Sequence, residues 1–340
     1  MPYEIKDIDN MHPFLRQIKG VWSNRGLPRQ DNGLPYSCNV MPLPQERAEP
    51  GLTIQHDGYI LKNFTYTEVI TFHGHPDAHD PETTPTSALP AAAPNRGYQF
   101  RQVPNALFYD QIVRFAEGPA YDQKKGVGSV VHVENGAWLQ LQKQPVAYGP
   151  YPPKGTDPNP QTDSDFAKMI SVPHGNSILA YGAFTGLHQG APKIPSVSVL
   201  PTLPAKPHQA PQPYPAGRYD EKLDTPEHYE NPNPVVTKDP TRPLRDLIGK
   251  LGIQEYYQVD FQTQKNDAGN MGYVTNIEFE EKMASACDYD ASYWLMRGKN
   301  DIDFKYLAYY QNIILELVIK GQRITFPHVT ANVVTIQGPA

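Results

Sequence analysis

Four short stretches of the chain gather side chains that can move protons or ligate a metal. Near the C-terminus, ITFPHVTANVV sets His328 directly behind Pro327 in a run of β-branched residues. Proline gives up a ladder hydrogen bond and is confined in sheets to edges, strand starts and bulges, so an imidazole at that spot asks for a reason. In SVPHGNSILAYG, His174 stands between Pro173 and Gly175 at a strand entrance. In VHVENGAW, His132 and Glu134 are two residues apart and project from one strand face, just before an Asn-Gly pair that reads as a turn. Imidazole beside carboxylate can be an acid–base pair, can orient a reacting or ligating neighbour, or can be an ordinary hydrogen bond across a sheet. HGHPDAH carries His73, His75 and His79. A His-x-His start suits zinc, iron or copper, but the DPETTPTSALPAAAP that follows makes a solvated loop the simpler reading.

Parity after Pro327 groups His328 with Thr330, Asn332 and Val334, opposite Val329, Ala331 and Val333. The second set is the more apolar, which argues against a core-facing histidine. A lumen of mixed polarity, or a register shift at the proline, leaves the side open.

The elements that must hold these residues read as strands. Runs rich in β-branched and aromatic residues, separated by turn clusters, span 62–73, 107–115, 129–142, 169–181, 254–263, 273–283, 292–295, 304–320 and 322–336. In the first, Phe64, Tyr66, Glu68, Ile70 and Phe72 share one face, and Thr65, Thr67, Val69 and Thr71 the other. The pattern predicts an all-β protein, a single antiparallel up-and-down β-barrel of about ten strands, as one domain over 1–340. Two short helices accompany it. One covers 13–18. The other is announced by Asp239 as N-cap, Pro240 at the first helical position, Leu244, Leu247, Ile248 and Leu251 on one face, and Gly252 as terminator, and is expected to close one end of the barrel. Pro-rich insertions at 145–163 and 192–243 carry little periodicity and read as long loops, either lids or mobile insertions. They contribute to a total of 36 prolines in 340 residues, about twice the ordinary share.

A net charge of −6, with basic residues scattered among acids, leaves no basic face for nucleic acid. No run approaches the roughly 18 apolar residues of a membrane helix, and MPYEIKDIDN lacks the basic and apolar regions of a secretory signal. A cytoplasmic protein with no membrane partner is the expectation. Cys38 and Cys287 lie far apart outside any C-x-x-C pattern, so they read as buried free thiols, with neither a disulfide framework nor covalent haem attachment.

Taken in order, the segments resemble the nitrobindin-like haem-binding β-barrels, a branch of the calycin and fatty-acid-binding-protein architecture. The likeness runs from LRQIKGVWSNRG with Gly20 and Trp22, through FTYTEVITF, the His132, Glu134 and Gly136 of VHVENGAW, and VPHGNSILAYG, to FPHVTANV. Longer bacterial relatives, described as haem-binding or peroxidase-like, share the Pro-His-Gly and Pro-His-Val pairs around similar insertions. The resemblance implies noncovalent haem b, with His328 as the proximal iron ligand and an open distal side where a diatomic or a peroxide binds. It leaves peroxidase-like and nitric-oxide or reactive-nitrogen chemistry both open. His174 and the His132/Glu134 pair become distal or supporting candidates, and Tyr66, Trp138, Tyr309 and Tyr310 a lumen wall around the cofactor. A homodimer is one open assembly state. The first strand departs from the family in lacking a Gly-x-Gly ending, and the insertions could remodel the cavity mouth. Two rival readings are a carrier of an apolar small molecule, suited by 21 tyrosines and 12 phenylalanines, and a cofactor-independent isomerase or cyclase using His132 and Glu134.

Overall fold

The structure, a computed structural model, describes residues 12–44, 59–73, 100–116, 128–143, 165–173, 175–203, 212–213, 239–264, 272–279, 284–319 and 321–339. In chain order the strands are β1 Gly20–Ser23, β2 Cys38–Pro44, β3 Tyr59–Phe64, β4 Tyr66–His73, β5 Phe100–Phe115, β6 Val130–Lys143, β7 Phe166–Val172 and β8 Asn176–Gln189. They continue with β9 Thr202–Leu203, β10 Gln212–Pro213, β11 Ile253–Gln262, β12 Tyr273–Asn276, β13 Ala284–Gly298, β14 Tyr306–Ile319 and β15 Gln322–Gly338. The helices are α1 Pro13–Ile18 and α2 Arg242–Leu251.

Ten strands close in the order β1-β4-β5-β6-β7-β8-β11-β13-β14-β15, and the β1–β15 pairing seals the ring. The result is the expected closed antiparallel β-barrel. Alternation sets its inside: in β4, Tyr66, Glu68, Ile70 and Phe72 are buried while Thr67, Val69, Thr71 and His73 are half-buried. The far edge of β15 is shared, with β1 against Thr335, Ile336 and Gly338 and β2 against Val329–Ala331. Strand β3 then pairs β2, so the two extend the sheet from β15 beyond the reach of the short β1.

One end is plugged by α1. Phe14, Leu15 and Ile18 are fully buried in the main core, the Phe14 ring stacks on Trp138 at 5.9 Å, and the Trp22 indole donates to the Ile18 carbonyl at 2.7 Å. A six-residue helix has little stability of its own, so this packing holds it. The second helix is not an end cap. Leu244, Leu247 and Ile248 pack on Trp294, Met296, Ala308, Tyr310, Ala331 and Val333, the outward-facing residues of β13, β14 and β15. It begins after Thr241, not at Pro240, because Asp239 is engaged by the Arg245 guanidinium and the Thr241 hydroxyl. It ends as expected at Gly252, whose φ of 61° is the left-handed cap.

Two expected strands are divided: 62–73 breaks at Thr65, and 169–181 is split by the turn between β7 and β8. Asn135 and Gly136 are not a turn but lie inside β6. Glycine is needed there, because a Cβ at Gly136 would come within 2.0 Å of the Met169 carbonyl and 2.8 Å of the Tyr109 ring. Both cysteines are free; Cys38 is buried, but Cys287 is exposed, against the expectation of two buried thiols. Among the described residues no helix is long and apolar enough to cross a membrane. The 145–163 insertion and most of 192–243 lie outside the described residues.

Candidate functional site

Inward-facing positions of the barrel hold two linked polar clusters set among aromatic rings. In the first, the Glu68 carboxylate accepts from Tyr309 Oη at 2.8 Å to both oxygens, from Gln111 Nε2 at 2.6 Å and from Asn332 Nδ2 at 2.6 Å. Four strands converge on it. Burial raises its pKa to about 7 in spite of these three donors, and the charge of Glu134 adds to the rise.

In the second, Lys168 Nζ donates to Tyr293 Oη at 2.5 Å, Gln311 Oε1 at 2.8 Å and Tyr289 Oη at 3.0 Å. It lies 3.9 Å from Glu134 Oε1, which also accepts from Tyr109 Oη at 2.6 Å. Burial lowers the Lys168 pKa to about 8, partly offset by Glu134. For Glu134 burial pushes upward, but the Lys168 ammonium, His132 and the Tyr109 hydroxyl together hold its carboxyl below the usual value. The clusters meet where the Tyr293 ring stacks on Tyr309 at 5.5 Å.

The candidates from the sequence distribute as follows. His132 and Glu134 do come together, Nε2 to Oε2 at 3.6 Å, with the imidazole side chain 25% exposed and the carboxylate 5%. Their strand face is the inner one, so His132 sits between solvent and the buried Lys168. Tyr66, Trp138 and Tyr309 are inward and fully or almost fully buried. Tyr310 is not a lumen residue. It packs on Trp294 under α2, as it must, since neighbours along a strand face opposite ways. His174 lies outside the described residues, as do His75 and His79; His73 is half-buried on the outer face, 3.3 Å from Asp110. Among the described residues no group of three or more His, Cys, Asp or Glu could hold a metal ion.

His328 resolves the parity question in an unforeseen way. It pairs with Ile313, which packs against the main core, so it shares the inward row of Thr330, Asn332 and Val334. The apolar set Val329, Ala331 and Val333 faces outward, where Val329 packs in one cluster with Val40 of the neighbouring β2 and with Val199, and Ala331 and Val333 lie under α2. Before the proline the buried residues are Ile324 and Phe326; after it Val329 is buried and then every residue from Ala331 to Val334, so burial alternates before Pro327–His328 and covers both faces beyond Thr330. The histidine is half-buried and its Nε2 is shielded from solvent. Because neighbouring strands alternate in direction, the starts of β6 and β15 lie together at the end opposite α1, which puts His132 and His328 at the same end.

An apolar set borders this end. Phe64, Tyr66 and Val113 pack with Met41, Phe115 and Val131, Phe64 against Phe115 at 5.2 Å. Phe64 pairs with Asn39, and Asn39 with Thr330; carrying that register two residues further brings Met41 level with His328. A groove of about 570 Å³ opens elsewhere, on the outer surface between Phe108, Asp110, Asn135, Met169, Leu179 and Tyr273.

Sequence reasoning passed over Lys168, Gln111, Gln311, Tyr109, Tyr289 and Tyr293, and read Glu68 and Asn332 only as members of alternating faces. A signal was present: Glu68 and Lys168 (in FAKMISV) are charges on the buried faces of otherwise apolar strands. A charged side chain there is costly unless paired, which points to a partner across the lumen.

The fold and site define a closed β-barrel with a titratable, tyrosine-rich lumen and a histidine on its last strand. No known protein family matches the chain, and no curated protein does. Among solved structures the chain is similar to Rv2717c from M. tuberculosis, with 12% identity over 96% of this chain and 99% of that one and a TM-score of 0.35.

Proposed function

We propose that this protein binds haem b noncovalently at the barrel end opposite α1, with His328 as the axial ligand and an open distal side for a peroxide or a nitrogen-oxide ligand. The observation that carries the reading is the inward row of β15, on which His328 stands across from Ile313, half-buried and with its Nε2 shielded from solvent. The residues present fit the group. A neutral imidazole is a suitable iron ligand, and Met41, Phe64, Val113, Phe115 and Ile313 are the apolar residues that would exclude water from the bound group.

Pro327 limits the backbone at and before itself, so His328 is presented from a stiff strand. Haem held by His328 would supply an iron able to bind a small ligand, and the surrounding residues would decide between binding and activation. His132 is partly exposed and backed by Glu134, so it can take a proton from a ligand at this end and return it; His174 remains a second candidate for that task. Peroxidase-like turnover follows if such transfer operates, and plain binding of a diatomic if it does not.

Titration of haem into the purified protein tests the reading. A Soret band that saturates at one haem per chain and is lost in His328→Ala is expected. Absorption no different from free haem would overturn it.

A further inference from the structure

The lumen contains a phenol whose proton already has a place to go. Tyr309 Oη lies 2.8 Å from both oxygens of Glu68, and both residues are almost completely buried. Tyr66 Oη stands 3.3 Å from Tyr309 Oη. On its other side Tyr309 stacks on Tyr293, and Tyr293 meets Trp138 at 4.7 Å, so oxidisable rings run unbroken from Tyr66 to the α1 plug.

We propose that Tyr309 is a redox-active tyrosine and Glu68 its proton acceptor. In the step, Tyr309 gives one electron to a one-electron oxidant, its O–H bond breaks, and the proton passes to a Glu68 oxygen. The products are a neutral phenoxyl radical and a neutral carboxylic acid, and the oxidant is reduced by one electron.

The burial that makes this site unusual also favours the products. Oxidising a buried phenol with no base in reach would leave a cation in a medium that solvates it poorly. Here the site passes from one negative charge to none. Every other group on the carboxylate is neutral: Gln111 from β5, Asn332 from β15, and Tyr309 itself. The charged groups facing it across the lumen are Glu134 on β6 and, paired with that carboxylate, Lys168 on β7. Because Glu68 titrates at about pH 7, the acceptor is available above that pH and lost below it, so oxidation of Tyr309 speeds up as pH rises through 7.

Tyr309 pairs with Asn332, four residues from His328, or roughly 13 Å along the strand. A peroxide-oxidised haem as the physiological oxidant rests on the reading above. The tyrosine's own chemistry does not, and it is tested without haem.

Haem-free protein would be flash-oxidised with a photo-excited ruthenium tris-bipyridine complex and persulfate, and the radical followed by electron paramagnetic resonance. A phenoxyl signal is expected whose yield falls about tenfold or more in Tyr309→Phe. In Glu68→Gln its rate should fall by a similar factor and lose the rise near pH 7. Because either variant could disturb packing, fluorotyrosine placed at position 309 provides a second test, as it should alter the hyperfine pattern. An unchanged pattern with that label, an unchanged yield in Tyr309→Phe, or an unchanged pH profile in Glu68→Gln would overturn the proposal. Loss of haem binding in the separate titration would leave these outcomes as they are.

Discussion

Glu134 and Lys168, thirty-four positions apart in sequence, meet 3.9 Å from each other inside the barrel with side-chain exposures of 5% and 1%. Each alone would be an expensive charge in a low-dielectric interior. Together, with three tyrosines and Gln311 around them, they are paired and hydrogen-bonded.

Removing one partner is therefore more damaging than removing both. Lys168→Met should cost about 3–5 kcal/mol, since it strands the Glu134 carboxylate. The Lys168→Met/Glu134→Gln double variant should recover part of that loss. Urea unfolding of the two single variants and the double measures the coupling directly; strictly additive losses would show that the pair does not act as a unit.

Stability should also carry the signature of Glu68. Its folded pKa of about 7 lies above the ordinary 4.5, so between those values the folded state binds more protons than the unfolded one. Its contribution is fully present below pH 4.5 and is lost as pH rises through 7, a change on the order of 3 kcal/mol. Denaturation of wild type and Glu68→Gln across pH 4–8 should show this slope in the first and not in the second. Lys168 acts in another window: its pKa is lowered from 10.5 to about 8, so its contribution is present above 10.5 and is lost as pH falls through 8.

Gly136→Ala should be poorly tolerated. The added methyl would strike the Met169 carbonyl and push Tyr109 from the carboxylate it donates to, at a cost of about 1–3 kcal/mol or more. Calorimetry should show a lowered Tm; an unchanged one would mean that β6 and β7 separate easily.

Leu247→Ala should separate stability from ligand uptake. The side chain is buried in the layer outside the wall, so its truncation should cost about 2–5 kcal/mol and leave haem affinity as it was. A weakened affinity would mean that α2 communicates with the lumen.

The barrel was legible because its outer surface is mostly wet: in β4 the two faces differ, and the alternation from Tyr66 to Phe72 gave the inside correctly. Where a second layer covers the wall, that contrast disappears. Ala291–Met296, Leu307–Asn312 and Ala331–Val334 are buried at every position, and a strand covered on both faces has no parity to read. That is why Tyr310 passed for a lumen residue and why the side of His328 stayed open. The stripe on α2 announced a buried face but not its partner, so a wall cover was taken for an end cap. The Lys168–Glu134 and Tyr309–Glu68 contacts depend on which strands adjoin and in what register, which no local pattern records.

Chemical rescue at position 328 tests the central claim most directly. His328→Gly should fail to give the wild-type haem spectrum and should regain it when free imidazole is added, with the iron–imidazole stretch in the resonance Raman spectrum restored. A His328→Gly protein whose haem spectrum already matches wild type without imidazole would contradict the assignment.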